Sequence, residues 1–503
     1  MLATIGLGAL AAAPVDARPG GGQTYSTGGG GTSSGGGTSS GGGSYSSGGG
    51  GSYSTGTGTY SPEPSPSSSS SDGSSAPLTR AGVIVLLLVA VFIIGGILLF
   101  VRAAMRTPQG SPVARRKAPK RLVPLDLRAI LDRDPDFSRV TFEDFAYRLF
   151  AAAHRARRDE EQLAKLTPYL APDVLDALAG RAGLVDQVVI GSLAITDAYS
   201  TSGSTMVRMT VAIEANLASV AGTKNVRESW SFVRSAQART RPPDQTRTFD
   251  CPNCSAPFQR GDKPRKCAHC GAMMEVGRFD WTVTKIRVKS ETHVGPTLTG
   301  TVEEVGNDFP TIAQPDAHDR LAQLRKDDAN VTWDALSARI HMVYDRLNQA
   351  WNAQDLTPVR GLVTASLLEY LQFWIDEYRR QHLANKLEQA KIARLTLAKV
   401  TRDRWYDAIT LRVHADGLDF TIDDKGNVVG GSRKKRRKYT EYWTFVRSSA
   451  RRGPITAAPN CPHCGAPLAI SDAGACTHCN VEVENASFDW TLSKIEQDDV
   501  YRG

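Results

Sequence analysis

Eight cysteines occur in this sequence, and all of them lie in Cys-x-x-Cys pairs. A two-residue gap lets both thiolates of a tight turn face one ion, and two such turns supply four sulfur ligands in a tetrahedron. We therefore predict two structural zinc ions per chain. Because four thiolates leave no coordination position open for water, this zinc would stabilise structure and would not take part in catalysis. The predicted ligands are Cys251, Cys254, Cys267 and Cys270 in the first site and Cys461, Cys464, Cys476 and Cys479 in the second.

Two other interpretations apply to these cysteines. Disulfides or a redox-active dithiol would need an oxidising compartment. Alternatively, one of the histidines inside the turns, His269, His463 or His478, replaces a sulfur. We favour four sulfurs and regard the histidines as spare polar residues, because the topology predicted below places all the cysteines in a reducing compartment.

Similar stretches flank both quartets and alternate large apolar with small or polar residues, as half-buried strands do. Trp230-Ser-Phe-Val-Arg-Ser235 precedes the first quartet, and Trp443-Thr-Phe-Val-Arg-Ser448 precedes the second. The sequence Phe-Asp-Trp-Thr follows each quartet, starting at Phe279 and at Phe488. Each quartet is therefore predicted to form a zinc ribbon inserted between two strands. The whole arrangement indicates a tandem repeat of one domain.

Helices are predicted before the strands of both repeats. In the first repeat, apolar residues from Phe142 to Ala153 share one helical face, and Thr141 and Asp144 are placed as in a capping box. In the second repeat, Trp333 begins the apolar face of a long helix. Helices followed by antiparallel strands are typical of an α+β fold. The predicted helices cover residues 140–153, 171–182, 333–353 and 365–380, and the predicted strands cover 184–199, 204–220, 228–235, 279–288, 389–401, 406–415, 439–447 and 488–495.

The N-terminal part of the chain is predicted to anchor the protein to a membrane. Residues 1–17 resemble a secretory signal peptide, whether cleaved or retained as a leader. Residues 18–80 are rich in Gly and Ser and bury too little apolar surface to fold, so they form a disordered tether. Residues 81–101 are uncharged and long enough for a transmembrane helix. Because the linker 102–124 is basic and contains no acid, the positive-inside rule places the following residues in the cytoplasm and the tether outside.

The two repeats resemble the Tim-forty-four-like domain. The resemblance rests on helices followed by strands such as Tyr406–Ala415 and Glu441–Arg447, and on the closing Trp490-Thr-Leu-Ser-Lys-Ile495, and it is stronger in the second repeat. It implies the cone-shaped α+β fold of the nuclear-transport-factor-two-like superfamily. The family's mitochondrial namesake is a membrane-bound anchor of the protein-import motor, and its bacterial relatives are membrane-tethered. This chain departs from the family in its duplication, its ribbons and its lack of a chaperone-recruiting N-terminal region, so the motor role is not carried over.

Together these patterns predict a single-pass protein of the bacterial inner (plasma) membrane, with its N-terminus outside and its C-terminal domains cytoplasmic. The predicted segments are a signal peptide (1–17), a disordered extracytoplasmic tether (18–80), a transmembrane helix (81–101), a basic linker (102–124), a first Tim-forty-four-like domain (125–305) with its zinc ribbon (251–270), a linker (306–318), and a second such domain (319–503) with its zinc ribbon (461–479).

We find no catalytic motif in the sequence and predict that the protein is not an enzyme. It contains no Gly-rich phosphate loop, no nucleophile elbow and no His-Glu-x-x-His. His154 and His341 lie in corresponding helices but do not coincide when the repeats are aligned. Arg234 and Arg447 do coincide and are interpreted as surface or ion-pair residues, and Leu411-Arg412 is matched with Val207-Arg208. Small-molecule binding in an apolar pocket of the cone remains an alternative.

Six basic residues follow one another at the end of a hairpin in the second repeat, whereas the corresponding loop of the first has only Lys224 and Arg227. The run is either a solvated loop tip or a contact for anionic lipid headgroups or nucleic acid, and the net charge of +8 fits both contacts. Because the predicted tether holds the domains near lipid, we favour lipid or an acidic protein partner over nucleic acid. The run comprises Arg433, Lys434, Lys435, Arg436, Arg437 and Lys438.

The function predicted from the sequence is a membrane-anchored, non-enzymatic docking scaffold that binds a protein partner in protein transport or membrane-protein assembly. The alternatives are a zinc-ribbon protein that binds nucleic acid and a protein that binds a small molecule in its cone.

Overall fold

Two antiparallel sheets, each preceded by helices, make up the described part of the chain. The structure is a computed structural model, and it describes residues 125–503 apart from 202, 247, 259–264, 295–297, 299–303, 305, 456–460, 462–463, 468–475, 480–488 and 499. We call residues 125–294 the first half and residues 304–503 the second half. The predicted signal peptide, tether, transmembrane helix and basic linker all lie outside the described residues. Among the helices that are described, none is both long and apolar enough to span a bilayer.

The first half is an α+β unit with a four-stranded meander, as the order of its predicted elements suggested. All neighbouring strands pair antiparallel, in the order β1-β2-β3-β4. A short helical turn at Pro243–Thr246 follows β3. The helices are α1 (Arg128–Leu131), α2 (Arg139–Ala156), α3 (Glu160–Lys165) and α4 (Pro172–Ala179), and the strands are β1 (Gln187–Tyr199), β2 (Met206–Ser219), β3 (Gly222–Ser235) and β4 (Thr282–Val294).

Helix α2 fills the inside of the first sheet with aromatic side chains. The predicted apolar face is confirmed, and the ring of Phe142 meets Phe232 of β3 at 5.3 Å and Trp281 at 5.1 Å, both edge to face. The predicted capping box is wrong, because α2 begins three residues earlier. Its N-cap is Ser138, whose hydroxyl accepts a hydrogen bond from the Thr141 N–H at 3.1 Å.

The second half has the same layout with longer helices. The predicted helices 333–353 and 365–380 are confirmed, but Trp333 stands at the helix start and is 39% exposed, so its assignment to the buried face is wrong. Strand β7 was not expected from the sequence. The order is β5-β6-β8-β9, with β7 paired to β6. The elements are α5 (Ala317–Asp327), α6 (Trp333–Ala353), a helical turn (Thr357–Val359), α7 (Ala365–Arg380), β5 (Leu383–Arg402), β6 (Tyr406–Asp423), β7 (Val428–Gly431), β8 (Arg437–Ser448) and β9 (Thr491–Gln497).

Strand pairing shows which positions of the two sheets correspond. Val211 pairs with Trp230 in the first sheet, and Leu411 pairs with Trp443 in the second. Since these tryptophans occupy the same place in the repeated sequence, Arg412 corresponds to Ala212. The sequence-based match of Arg412 with Arg208 is therefore wrong by four residues along the strand.

The predicted linker 306–318 is also wrong, because this segment is part of the second half. It crosses the outer face of the second sheet, which is the face turned away from the helical core. Arg412 donates to the carbonyl oxygens of Phe309 at 2.6 Å and Gly306 at 2.8 Å. The N–H of Ile312 donates to the hydroxyl of Tyr442 at 2.8 Å. The segment then runs directly into α5.

The two halves contact each other within one compact unit. Glu143 of α2 forms an ion pair with Lys494 of β9 at 2.5 Å, and the indole N–H of Trp405 donates to the Asp136 carbonyl at 3.0 Å. Burial alone would raise the pKa of Glu143, but the ammonium of Lys494 and the guanidinium of Arg139 lower it to about 2. Helix α2 therefore packs on its own sheet with one face and on the second sheet with another.

Candidate metal centres and charged sites

The four sulfur atoms of the first quartet converge on one point. Cys251 Sγ lies 3.9 Å from Cys270 Sγ, and Cys254 Sγ lies 3.8 Å from Cys267 Sγ. Four Zn–S bonds of about 2.3 Å at tetrahedral angles place neighbouring sulfurs about 3.8 Å apart, whereas a disulfide needs about 2.05 Å. All four cysteines are free thiols. The donor set and its spacing therefore fit a tetrahedral metal ion, and the sulfurs lie too far apart in this structure to be disulfide-bonded.

The second quartet repeats this geometry. Cys461 Sγ lies 3.8 Å from Cys479 Sγ, and Cys464 Sγ lies 4.0 Å from Cys476 Sγ. In each quartet the four sulfurs lie within 4.8 Å of one another, and no histidine belongs to either group among the described residues. The structure thus brings together all eight predicted ligands. His463, one of the histidines considered as an alternative ligand, lies outside the described residues.

The Cys-x-x-Cys turns that begin at Cys251, Cys267 and Cys461 close with the same pair of backbone hydrogen bonds. The Ser255 N–H donates to the Cys251 carbonyl at 2.8 Å, and the Cys251 N–H donates to the Ala256 carbonyl at 3.0 Å. The residue after the second cysteine has a positive φ, which is 58° at Ser255, 71° at Gly271 and 74° at Gly465. Glycine adopts this conformation without strain, so two of the turns have a residue suited to it.

Backbone and amide N–H groups aimed at the sulfurs favour thiolates. A hydrogen bond from the Asn253 side chain lowers the pKa of Cys270 to about 6, and one from the backbone of His478 lowers the pKa of Cys476 to about 6. Burial instead raises the pKa of Cys251 to about 12. A divalent cation offsets this penalty by holding the buried sulfur as a thiolate, so metal binding and folding of the ribbons are coupled.

A buried arginine clamps the base of each ribbon. In the first half, Arg234 at the end of β3 forms an ion pair with Asp134 at 2.6 Å and lies over the Trp281 ring at 4.6 Å. Both charged side chains are at most 2% exposed. Arg234 precedes the ribbon and Trp281 follows it, so this contact holds the two ends of the insertion together.

The second half contains the same clamp. Arg447 forms an ion pair with Asp328 at 3.1 Å and lies over the Trp490 ring at 4.7 Å. The ion-pair interpretation of these arginines is confirmed and the surface interpretation is wrong. Sequence reasoning missed their partners, although a signal existed: an aspartate stands just after the first helix in both halves, at Asp134 and Asp328.

A histidine of the first half, His154, is buried in the core beside a carboxylate. His154 is fully buried and its ring lies 3.5 Å from the Glu228 carboxylate, which also pairs with Arg181 at 2.5 Å and accepts the Trp230 indole N–H at 2.7 Å. Burial lowers the pKa of His154. Burial would raise the pKa of Glu228, but His154, Arg181 and Trp230 lower it to about 2. His154 is thus a neutral core residue without access to a substrate.

A cavity beside the first clamp is small. It is lined by Arg234, Thr240 and Asp280 among others and has a volume of about 20 Å³. Such a cavity holds about one water molecule, so it does not suit the predicted alternative of a small-molecule ligand.

The predicted basic run contains two residues that the fold itself uses. Arg436 forms an ion pair with Asp416 and donates to the Gln389 carbonyl at 2.8 Å. Arg437 begins β8, is mostly buried, and pairs with Glu304 at 2.7 Å and with Asp419 at 3.2 Å. These two guanidinium groups are therefore committed to contacts within the second half.

The other four basic residues of the run face solvent. Arg433 lies over the ring of Phe420 at 4.9 Å with an exposed side chain. Lys434, Lys435 and Lys438 are exposed and form no ion pair with any described residue. The charge that this hairpin offers to a partner is therefore about +4 and not +6.

Comparison with known proteins identifies a domain in the second half. The family profile of the Tim44-like domain, written Tim-forty-four-like above, matches residues 317–455. No curated protein matches this sequence. Among solved structures, an "Ntf2 like protein involved in plasmid conjugation" is 9% identical and aligns over 72% of this chain and 95% of its own, with a TM-score of 0.16. That score carries no argument about fold or function. The profile match shows that this chain contains a Tim44-like domain at residues 317–455.

Proposed function

We propose that this protein is a membrane-anchored, non-enzymatic docking scaffold with two zinc ribbons, acting in protein transport or membrane-protein assembly. The observation that carries the proposal is the match of residues 317–455 to the Tim44-like domain, a domain associated with membranes. The buried charged groups described above support it, because each is paired within the fold and held away from solvent. Closed four-sulfur sites are likewise structural in character.

We infer that the first half is a second copy of the same domain. Both halves contain the buried Arg-Asp-Trp clamp. Both also contain a tryptophan whose indole N–H donates to a glutamate two residues earlier, at 2.7 Å for Trp230 and 2.8 Å for Trp443. A parallel bridge joins the segment before the sheet to the last strand in each half, between Leu170 and Val283 and between Val363 and Leu492. The clamp, the tryptophan–glutamate hydrogen bond and the parallel bridge recur at corresponding positions of both halves, which favours duplication of one domain over chance similarity.

The proposed topology has residues 1–17 as signal peptide, 81–101 as transmembrane helix and both halves in the cytoplasm of a bacterium. It rests on hydropathy and on the charge of residues 102–124. In this setting the four free cations of the basic run would contact anionic headgroups, each contributing up to about 1 kcal/mol. Nucleic acid fits this hairpin less well. Tyr439 beside it is buried, and Phe420 lies beneath Arg433, so bases have no free aromatic face to stack on.

A protease experiment tests the proposed topology. Protease added to intact spheroplasts that contain the full-length protein should trim residues 18–80 and spare both ribbons. Cleavage at the ribbons in intact spheroplasts would reverse the orientation and return the cysteines to an oxidising compartment.

The lipid contact is tested in vesicles that contain the full-length protein. Hydrogen exchange of residues 428–438 should slow when anionic lipid is included and recover in about 1 M salt, where the Debye length falls to about 3 Å. Changing Arg433, Lys434, Lys435 and Lys438 to Gln should remove the slowing, and the control Arg325→Gln/Lys326→Gln on α5 should keep it. Equal exchange with neutral and anionic lipid would exclude this contact.

A further inference from the structure

The outer faces of the two sheets have opposite character at corresponding positions. In the second sheet, Arg412 stands opposite Tyr442, and both side chains are almost fully buried beneath residues 306–316. In the first sheet the corresponding pair is Ala212 opposite Ser229. Two small residues thus replace two large ones, and the first sheet lacks the side chains that hold a covering segment in the second.

The charge of the neighbouring edge strand is also changed. Tyr442 pairs with Glu496 of β9, whereas Ser229 pairs with Arg287 of β4. In the second half, Asp498 just after β9 forms an ion pair with Arg412 at 2.8 Å. The outer face of the second sheet is therefore completed with acids, and the same region of the first sheet carries a base.

Four basic side chains surround this open part of the first sheet. Arg208 of β2 and Lys285, Arg287 and Lys289 of β4 are exposed, and none of them has an ion-pair or side-chain hydrogen-bond partner among the residues that the structure describes. Two nearby acids are already paired, Glu214 with Arg227 at 3.1 Å and Glu291 with Lys224 at 2.7 Å, whereas Asp197, opposite Thr210 of β2, is exposed. We call the surface formed by Arg208, Ala212, Ser229, Lys285, Arg287 and Lys289 the basic sheet face.

We propose that the basic sheet face binds an extended acidic segment of a partner protein. The second half shows that this side of the sheet accepts a chain segment without regular secondary structure, because residues 306–316 cross it there. Charge complementarity selects an acidic occupant for the first half. Neither the tether nor the basic linker supplies one, since residues 102–124 contain no acid and residues 18–80 contain only Glu63 and Asp72. The proposal deepens the docking role proposed above and rests on it.

Fluorescence anisotropy of the full-length protein in neutral detergent tests this proposal, with a labelled peptide of alternating glutamate and serine as the probe. At about 0.1 M salt, Lys285→Glu/Arg287→Glu should weaken peptide binding about tenfold or more. The matched control Arg325→Glu/Lys326→Glu changes the net charge equally on α5 and should weaken it less than about twofold. A further variant, Ser229→Tyr, copies the residue of the second sheet, leaves the charge unchanged and should weaken binding by filling the face.

The outcomes separate the alternatives. Loss of binding in the sheet variants with retention in the α5 control supports the proposal. Equal behaviour of the sheet and control variants overturns it, as does tighter binding of a uridine oligonucleotide or of anionic vesicles at the same face. Thermal unfolding of each variant shows whether it is folded. If the charge-reversed variant is unfolded, weaker peptide binding by Ser229→Tyr supports the proposal and unchanged binding overturns it. The spheroplast experiment measures topology and does not involve this face, so failure of the docking site and failure of the membrane role are distinguishable.

Discussion

The two halves agree inside and differ outside. Both contain a buried arginine that clamps the ribbon base, with Asp134 and Asp328 as the partners. On the outer faces of the sheets, however, Arg412 in one half corresponds to Ala212 in the other. Interior contacts determine whether a copy folds, whereas surface positions are free to acquire different partners. The difference indicates that the two halves place the same kind of four-sulfur cluster beside sheets whose outer faces differ.

The largest effect is expected from the metal centres. Changing Cys251 and Cys254 to Ser, or Cys461 and Cys464 to Ser, should each remove one of two zinc ions per full-length chain. Structural zinc contributes about 10 kcal/mol or more in isolated fingers, so the affected ribbon should unfold locally. Elemental analysis and hydrogen exchange measure both results. Ser255→Gly is the control and should keep both ions. A wild-type content below one zinc per chain, or disulfides found by mass spectrometry, would contradict the prediction.

The two clamps should respond alike to loss of their cation. Arg234→Met and Arg447→Met each leave a buried aspartate without its partner, which should lower the free energy of unfolding by about 3 to 5 kcal/mol. Urea unfolding of the full-length protein measures the change. Exposed Arg325→Met serves as the control and should have almost no effect. If only one of the two clamp variants were destabilised, the interior of the halves would not be equivalent.

Loss of an arginine from the outer face of a sheet should destabilise the second half and not the first. Arg412→Ala gives the second sheet the residue of the first and should release residues 306–316. Burial raises the pKa of Asp498 to about 6, so this carboxyl can take up a proton near neutral pH once its partner is lost. The expected loss is therefore about 2 to 3 kcal/mol, less than for the clamps. Hydrogen exchange of residues 306–316 should rise. Arg208→Ala in the exposed first face is the control, and protection of 306–316 in both variants would refute the covering role.

Loss of the ion pair between Glu143 and Lys494, which joins the two halves, should have the smallest effect on the free energy of unfolding, and this effect should depend on pH. The pKa of Glu143 is lowered from 4.5 to about 2, so its contribution is complete above about pH 4.5 and is lost as the pH falls towards 2. Glu143→Gln should lower the free energy of unfolding by about 1 to 2 kcal/mol at neutral pH. The difference from wild type should shrink as the pH is lowered from about 6 to about 3. A constant difference across this range would show that Glu143 acts by packing alone.

Local patterns in the sequence predicted the metal ligands and most elements. Cys-x-x-Cys spacing depends only on neighbouring residues, and helix α6 follows from periodicity along one segment. Its bounds, 333–353, agree with the structure.

Contacts between distant segments were not predicted. The ion pair of Arg234 with Asp134 joins residues far apart in sequence, and a single sequence shows no sign of such a pair except its repetition in the second half. The sequence predicts a linker where residues 306–316 in fact cover the second sheet, because the side chains that hold this segment, Arg412 and Tyr442, belong to the sheet and not to the segment. The sequence alone also suggests that all six residues of the basic run are equally available to a partner. Arg437 is not, because it pairs with Glu304 and Asp419, which lie elsewhere along the chain.

The position of the ribbons also affects the order of folding. Neighbouring strands β1-β2-β3 and β5-β6-β8 form through short connections, but β4 and β9 join their sheets only after a ribbon has been looped out, between Ser235 and Thr282 and between Ser448 and Thr491. Closing a flexible loop of about forty residues costs about 3 kcal/mol of chain entropy. These pairings should therefore form late in folding. Trp281 and Trp490 lie just before those strands, so each would contact its clamp arginine only when β4 or β9 joins its sheet. A change in tryptophan fluorescence during refolding should therefore report this late step.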